Sequence, residues 1–221
     1  MQTQVLSIDH PTAQATAWAM LKAEQIIAAP TDTVYGLMAR FDSAVAIEKL
    51  YEAKDRPPER AIPVLIGDLA QLDQLTPTPV SPVAQTLIEQ FWPGPLTLVL
   101  PALTALLPVL TAGQPTVAVR MPAHAAVRTL IQQTGPLAAT SANRSGAPDT
   151  VTAAEVLAQL DGRIPLLLAG DPSEQAAQRP AQPSTIVDLV HLDNGGPRIL
   201  RLGPIAAAVR ECLQLKFGYV C

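Results

Sequence analysis

The sequence predicts an α/β fold, an open sheet with helices packed on it, and three observations predict it. Short apolar runs rich in β-branched residues alternate with helix-periodic runs along the whole chain. Hydrophobic residues make up 48% of the 221 residues against 15% charged, which suits a packed globule and excludes a disordered chain. Polar clusters fall where apolar runs end, and open α/β sheets bind small ligands beyond the carboxyl ends of their strands.

The elements follow in order. A helix is expected over 11–27, with Ala17, Trp18, Leu21 and Lys22 at helical spacing and Thr12 as its cap. A buried strand over 26–29 then runs into PTDTVYGL, 30–37, where Thr31, Asp32 and Thr33 crowd oxygen-bearing side chains and Gly36 permits a close approach. Asp42 or Ser43 caps a helix over 44–53 whose apolar face is Ala46, Ile47, Leu50 and Tyr51. After a basic loop, a strand over 62–66 ends at Gly67, and short helices cover 69–75 and 83–90. FWPGPLTLVL, 91–100, starts as a rigid turn and becomes a buried strand, with Trp92 and its prolines serving packing. A strand over 117–121, a helix over 123–133, a strand over 136–140, a helix over 152–160 and a strand over 164–168 come next. The Gly-, Pro- and Gln-rich stretch 169–183 suits a mobile lid, and strands over 184–189 and 199–202 follow it.

Global properties limit the partners. Net charge is −4 with pI near 5.3, so any contact with RNA needs a local basic patch. Cys212 and Cys221 have no metal-ligand spacing and read as reduced thiols. The start MQTQVLSIDH is no signal peptide and no apolar run is long enough to span a bilayer, so a cytoplasmic protein without a membrane partner is expected, as one domain over 1–221. The 22 prolines lie scattered between elements as loop punctuation.

Three clusters suggest chemistry, the first two with a plainer alternative. KDRPPER, 54–60, sets Lys54, Arg56 and Arg60 on a proline-stiffened backbone that could hold phosphates, or it is a solvated helix end. Arg120 ends an apolar strand and needs an anion or an acidic partner. SANRSG, 141–146, packs hydroxyl, amide and guanidinium groups that could meet phosphate or ribose. P-loop, dinucleotide-fold and hydrolase-elbow signatures are absent, and His10, His124 and His191 stand apart from one another. Such a chain suits a reaction in which substrates bring the reactive groups and the protein supplies alignment and positive charge.

Read together, PTDTVYGL, AKDRP, VAVRMP, ATSANRSG, STIVDL and ILRLG resemble, in order and spacing, the threonylcarbamoyl-AMP synthase (YrdC-like) family over nearly the whole chain. The resemblance implies a twisted mixed parallel and antiparallel sheet around a large basic cavity, in the short, single-domain form. It implies an enzyme joining L-threonine, bicarbonate and ATP into L-threonylcarbamoyladenylate and pyrophosphate, the first step of t6A formation at tRNA position 37. Carried over by motif, Lys54, Arg56, Ser141 and Asn143 would be catalytic; Thr33, Arg120, Ser141 and Ser184 would bind threonine. Arg56, Arg60, Thr116, Asn143 and Arg201 would bind the nucleotide. Mg2+ would arrive with ATP, no structural metal is implied, and a t6A transferase complex would accept the adenylate, with tRNA or double-stranded RNA as a further partner. Two positions depart from the family pattern: Leu65 stands where many members carry histidine, and the Leu-Arg-Pro-Gly signature reads Leu200, Arg201, Leu202, Gly203. Two rival functions are an RNA-binding paralogue that makes no adenylate and a carbamoyl-adenylate activity like that of hydrogenase maturation proteins.

Overall fold

The computed structural model describes residues 2–170, 182–193 and 195–219. Its ten strands are β1 (Gln4–Ser7), β2 (Ile27–Ala29), β3 (Gly36–Arg40), β4 (Val64–Leu65), β5 (Leu96–Pro101), β6 (Thr116–Arg120), β7 (Leu137–Ser141), β8 (Leu166–Ala169), β9 (Thr185–Asp193) and β10 (Gly196–Arg201). They form one sheet in the order β1-β8-β2-β3-β7-β4-β6-β5-β9-β10. Four neighbouring pairs are parallel, namely β1 with β8, β2 with β8, β4 with β6 and β5 with β9, and the remaining five are antiparallel. The sheet is therefore mixed, as the family resemblance implies.

Seven α-helices accompany it among the described residues: α1 (Ala13–Lys22), α2 (Ala44–Lys54), α3 (Pro82–Phe91), α4 (Pro108–Thr111), α5 (Ala125–Thr134), α6 (Ala153–Leu160) and α7 (Ala206–Phe217). Strand alternation divides the core into two clusters. On one face Leu37, Val64, Leu98, Val119, Ala138 and Val187 join α2, α3, α4, α6 and α7 in the larger cluster. On the other, Ile27, Ala29, Met38, Leu65, Leu137 and Leu166 meet Ala13, Ala17 and Leu21 of α1 and Val127, Leu130 and Ile131 of α5.

Several boundaries differ from the sequence reading, each for a local reason. α1 stops at Lys22, and Thr12 makes no side-chain cap bond; its hydroxyl lies 3.0 Å from His10 Nδ1 instead. Trp18 and Lys22 turn outward, with the ammonium 4.8 Å from the indole centroid, because Ala17 and Leu21 take the buried stripe. Ser43, not Asp42, caps α2 by accepting from Ala46 N at 3.1 Å. Asp55 at φ 53° ends that helix in the left-handed region, two residues before Pro57. The segment Leu69–Gln74 is a 3-10 helix capped by Asp68. β1, β10's first residues, α4 and α7 carry no motif and escape the sequence reading, as does β3, whose first two residues close PTDTVYGL. The expected lid over 169–183 lies largely outside the described residues.

Candidate functional site

Beyond Leu65, the face covered by α1 and α5 becomes the wall of a cavity of about 370 Å³. The alternation that points Leu98 and Val119 into the large core points Thr97 and Val99 of β5 and Ala118 and Arg120 of β6 the other way. Ala139 and Ser141 of β7 and Ile186 of β9 continue the wall. Small side chains at Ala118 and Ala139 leave room that leucines fill next door. Thr33 in the turn before β3, Arg56 in the basic loop, Ser184 before β9 and Arg201 at the end of β10 close the rim, with Asp149 as the carboxylate lining it.

Arg120 is the best-anchored cation of the cavity. Its side chain is 8% exposed; Nε donates to Gly94 O at 3.0 Å, NH1 to Thr33 Oγ1 at 2.7 Å and NH2 to Asp32 Oδ1 at 2.6 Å. The sequence left an acidic partner open for this arginine, and Asp32 is that partner. A guanidinium carries five N–H donors, so one on each terminal nitrogen has no acceptor among the described residues. Burial pulls the Arg120 pKa down, and the Asp32 carboxylate opposes that pull. Thr31 donates to Val34 O at 2.7 Å, so the 3.1 Å contact between Thr31 and Thr33 runs from the Thr33 hydroxyl to Thr31.

Arg56 donates from Nε to Arg60 O at 3.3 Å and from NH2 to Ala61 O at 3.0 Å, folding the basic loop around its own guanidinium. Arg201 donates from Nε to Ser184 O at 2.8 Å and from NH2 to Ser184 Oγ at 3.0 Å. Burial lowers both pKa values; Asp149 raises that of Arg201 and Arg120 lowers it further, so the cavity charges act on one another. Gly203 makes the Arg201 arrangement feasible. A Cβ there would lie 2.3 Å from Thr185 N and 2.6 Å from Pro183 O, so only glycine lets β10 close against Ser184.

Lys54 is placed differently. It is 2% exposed and its ammonium donates to Ser141 O, to Asn143 O and, at 3.1 Å, to Asn143 Oδ1. Three acceptors use all three N–H donors, so Lys54 organises the SANRSG loop and does not line the cavity. Burial lowers its pKa to about 8, with Arg56 adding to the fall and Asp149 opposing it. Asn143, 5% exposed, also accepts from Ser141 Oγ at 2.5 Å and donates to Ala147 O at 2.6 Å. Asp55 ties this loop to α2 by accepting from Arg144 at 2.5 Å and Arg163 at 3.1 Å. Among the described residues no group of three or more His, Cys, Asp or Glu could hold a metal ion, and no helix is long and apolar enough to cross a membrane.

The Sua5/yciO/yrdC family model, described as telomere recombination, matches residues 19–203. The chain belongs to the Sua5/YciO/YrdC family. A Bacillus subtilis relative named threonylcarbamoyl-AMP synthase is 46% identical over 173 residues, 77% of this chain and 49% of its own length. A Mycobacterium tuberculosis relative is 38% identical over 187 residues, 84% of this chain and 82% of its own. The crystal structure of Pyrococcus abyssi Sua5 complexed with L-threonine superposes with a TM-score of 0.87 at 33% identity, over 99% of this chain and 62% of that one. The chain thus spans about half the length of the Bacillus subtilis relative and about three fifths of the Pyrococcus abyssi chain. Escherichia coli YciO, 22% identical with a TM-score of 0.77 over 91% of this chain and 96% of its own, shares the fold.

Of the residues that the family resemblance singled out, Thr33, Arg56, Arg120, Ser141, Ser184 and Arg201 share the cavity lining. Asn143 stands behind it in the loop that carries Ser141, and Lys54 at the end of α2 donates into that loop. Arg60 is exposed, and its carbonyl accepts from Arg56 and Tyr51. Thr116 begins β6 opposite Pro101, four residues and about 13 Å along the strand from Arg120. Leu65, in place of the histidine of many Sua5/YciO/YrdC members, is buried beside Arg120 and makes that stretch of wall apolar. Leu202 is 62% exposed. Sequence reasoning missed Asp32, Thr97 and Asp149 as site residues. Asp32 was visible only as part of a hydroxyl-rich turn, and Thr97 reads as an ordinary strand residue within LTLVL.

Proposed function

We propose that the chain is an L-threonylcarbamoyladenylate synthase working as a single unit: L-threonine, bicarbonate and ATP give L-threonylcarbamoyl-AMP and pyrophosphate, the first step of t6A formation in tRNA. One observation carries the reading: three guanidiniums, those of buried Arg120, part-buried Arg56 and Arg201 at the exposed end of β10, converge with the hydroxyls of Thr33, Ser141 and Ser184 on a single cavity. Cations at that density in a partly desolvated hollow fit a polyphosphate and a carboxylate, and three guanidiniums suit oxyanions better than any neutral ligand. Family membership and a relative 46% identical that bears the name of this enzyme support the same assignment.

In this reading Arg120, Thr33 and Ser184 hold the amino acid, Arg56 and Arg201 take the phosphates, and Ser141 borders both. Lys54 and Asn143 act as positioning residues that fix Ser141. The threonine amine captures CO2 derived from bicarbonate as a carbamate. A carbamate oxygen attacks the α-phosphorus, the bond to the β-phosphate oxygen breaks, and pyrophosphate leaves. The guanidiniums stabilise the charge gathering on the leaving oxygens, and no covalent intermediate with the protein is needed. Hydroxyls and the Asp149 carboxylate fit Mg2+, which binds chiefly through phosphates and water and would supply charge neutralisation on the triphosphate. A t6A transferase complex would consume the adenylate, bringing tRNA into proximity.

The test is to incubate the protein with ATP, labelled bicarbonate and each of several amino acids. Adenylate and pyrophosphate formed with threonine are the expected products. No product, with a working control enzyme alongside, overturns the proposal.

A further inference from the structure

Thr97 lies between the cations of the cavity. Leu65 pairs with Arg120, and Thr97 pairs with Ile186. The antiparallel β5–β6 register, which pairs Leu98 with Val119, continues by one residue to set Thr97 opposite Arg120. A row of side chains therefore crosses four strands in the order Leu65, Arg120, Thr97, Ile186. Thr97 is 3% exposed and lines the cavity, and its Oγ1 sits 2.7 Å from Ser184 Oγ.

Counting hydrogens on this pair gives the argument. Two hydroxyls carry two hydrogens, and one of these fills the bond between them. Ser184 Oγ also accepts from Arg201 NH2 at 3.0 Å, so no hydrogen is supplied by the pair in that contact. One hydroxyl hydrogen therefore has no acceptor among the described residues. Donation from the Arg201 cation polarises Ser184 and makes it the better donor, so the bond runs from Ser184 to Thr97 and leaves the Thr97 hydrogen directed at the cavity. A buried donor without an acceptor is unfavourable unless a ligand supplies one. With Arg120 on one side and Arg201 on the other, that acceptor carries negative charge.

We infer that Thr97 is a substrate-binding residue whose hydroxyl donates to a carboxylate oxygen of the amino acid, held between Arg120 and the Ser184–Arg201 pair. The inference rests on the proposed function and adds a contact to it. The carboxylate is favoured over a phosphate because Thr97 and Arg120 lie on the buried wall next to the apolar Leu65, where a small planar anion fits, whereas Arg56 stands in the loop at the rim.

The experiment compares Thr97→Val, which keeps the β-branched shape suited to the strand, with Thr97→Ser, which keeps the hydroxyl. Affinities for L-threonine, L-threonine methyl ester and ATP are measured by calorimetry. Thr97→Val weakens L-threonine binding by about tenfold or more, the range for losing a donor to a charged group, and Thr97→Ser stays within about threefold of the natural protein. ATP affinity is unchanged, and the ester, which lacks the anionic carboxylate, binds the natural protein and Thr97→Val equally. The inference is overturned if Thr97→Val binds threonine normally, if Thr97→Ser is as weak as Thr97→Val, or if the loss falls on ATP. A folded natural protein that binds no threonine at all would instead bring down the proposed function, and this contact with it.

Discussion

On one sheet face, Ile27, Ala29, Leu137 and Leu166 are pressed by α1 and α5 into a closed apolar core, whereas a few strands along the same face Ala118, Val99, Thr97 and Arg120 border a cavity. Both regions obey the same two-residue alternation. They differ in side-chain size and in what stands above: leucines and alanine-backed helices on one side, small residues and rim loops carrying cations on the other. Burial of apolar groups stabilises the first region directly. The second holds arginines whose pKa values burial depresses, an arrangement that costs stability and is relieved by an anionic ligand. One sheet can thus serve as core and as binding wall without any change of backbone pattern.

Four substitutions sharpen that contrast, in decreasing order of expected loss of stability. Arg120→Met should cost about 3–5 kcal/mol in urea unfolding, because it strands the buried Asp32 carboxylate. Adding Asp32→Asn should restore most of that stability and none of the adenylate formation; an active double variant would break the assignment of Arg120 to the ligand. Leu130→Ala, under the closed half, should cost about 2–4 kcal/mol while leaving kcat/KM of the folded fraction within about twofold. A large fall in kcat/KM there would mean that the two halves are not separable.

Lys54→Met should cost about 1–3 kcal/mol by leaving the Ser141 and Asn143 carbonyls without their donor, and it should lower kcat more than it raises KM for ATP. The same ammonium predicts a pH effect. With its pKa lowered to about 8, it loses a donor above that pH and adenylate formation should decline on the alkaline side. Stability responds in the opposite sense: the folded pKa lies below the ordinary 10.5, so the native chain binds fewer protons between about pH 8 and 10.5 and this group's contribution rises with pH across that window. A flat activity profile from pH 7 to 9 would separate Lys54 from the reaction. Arg56→Ala should cost about 1 kcal/mol or less while abolishing turnover, since the guanidinium bonds two carbonyls of its own loop and the neighbouring Tyr51 hydroxyl and, among the described residues, no other element. Near-normal turnover would remove that loop from the site.

Much of this was legible in the sequence because the motifs mark chain positions where apolar runs stop and donors begin. The strand ends carrying Arg120, Ser141 and Ser184 were placed correctly, since Pro, Gly and hydroxyl residues punctuate them. What the sequence could not supply was direction. Lys54 reads as one more cation of KDRPPER, yet it is the last residue of α2, on that helix's buried side, and its ammonium meets carbonyls 87 and 89 residues away. Thr97 is one threonine within an apolar strand, and its meaning depends on Ser184, 87 residues downstream. β1 and β3 are short or begin in a turn, and they are strands only because β8 and β7 pair with them.

The central claim is that one cavity gathers the amino acid and the nucleotide against the open half of the sheet face. A crystal structure with L-threonine and a non-hydrolysable ATP analogue tests it most directly. The account predicts the threonine carboxylate between Arg120, Thr97 and Ser184, with phosphates against Arg56 and Arg201; ligands bound elsewhere, or only one of the two within the cavity, would contradict it.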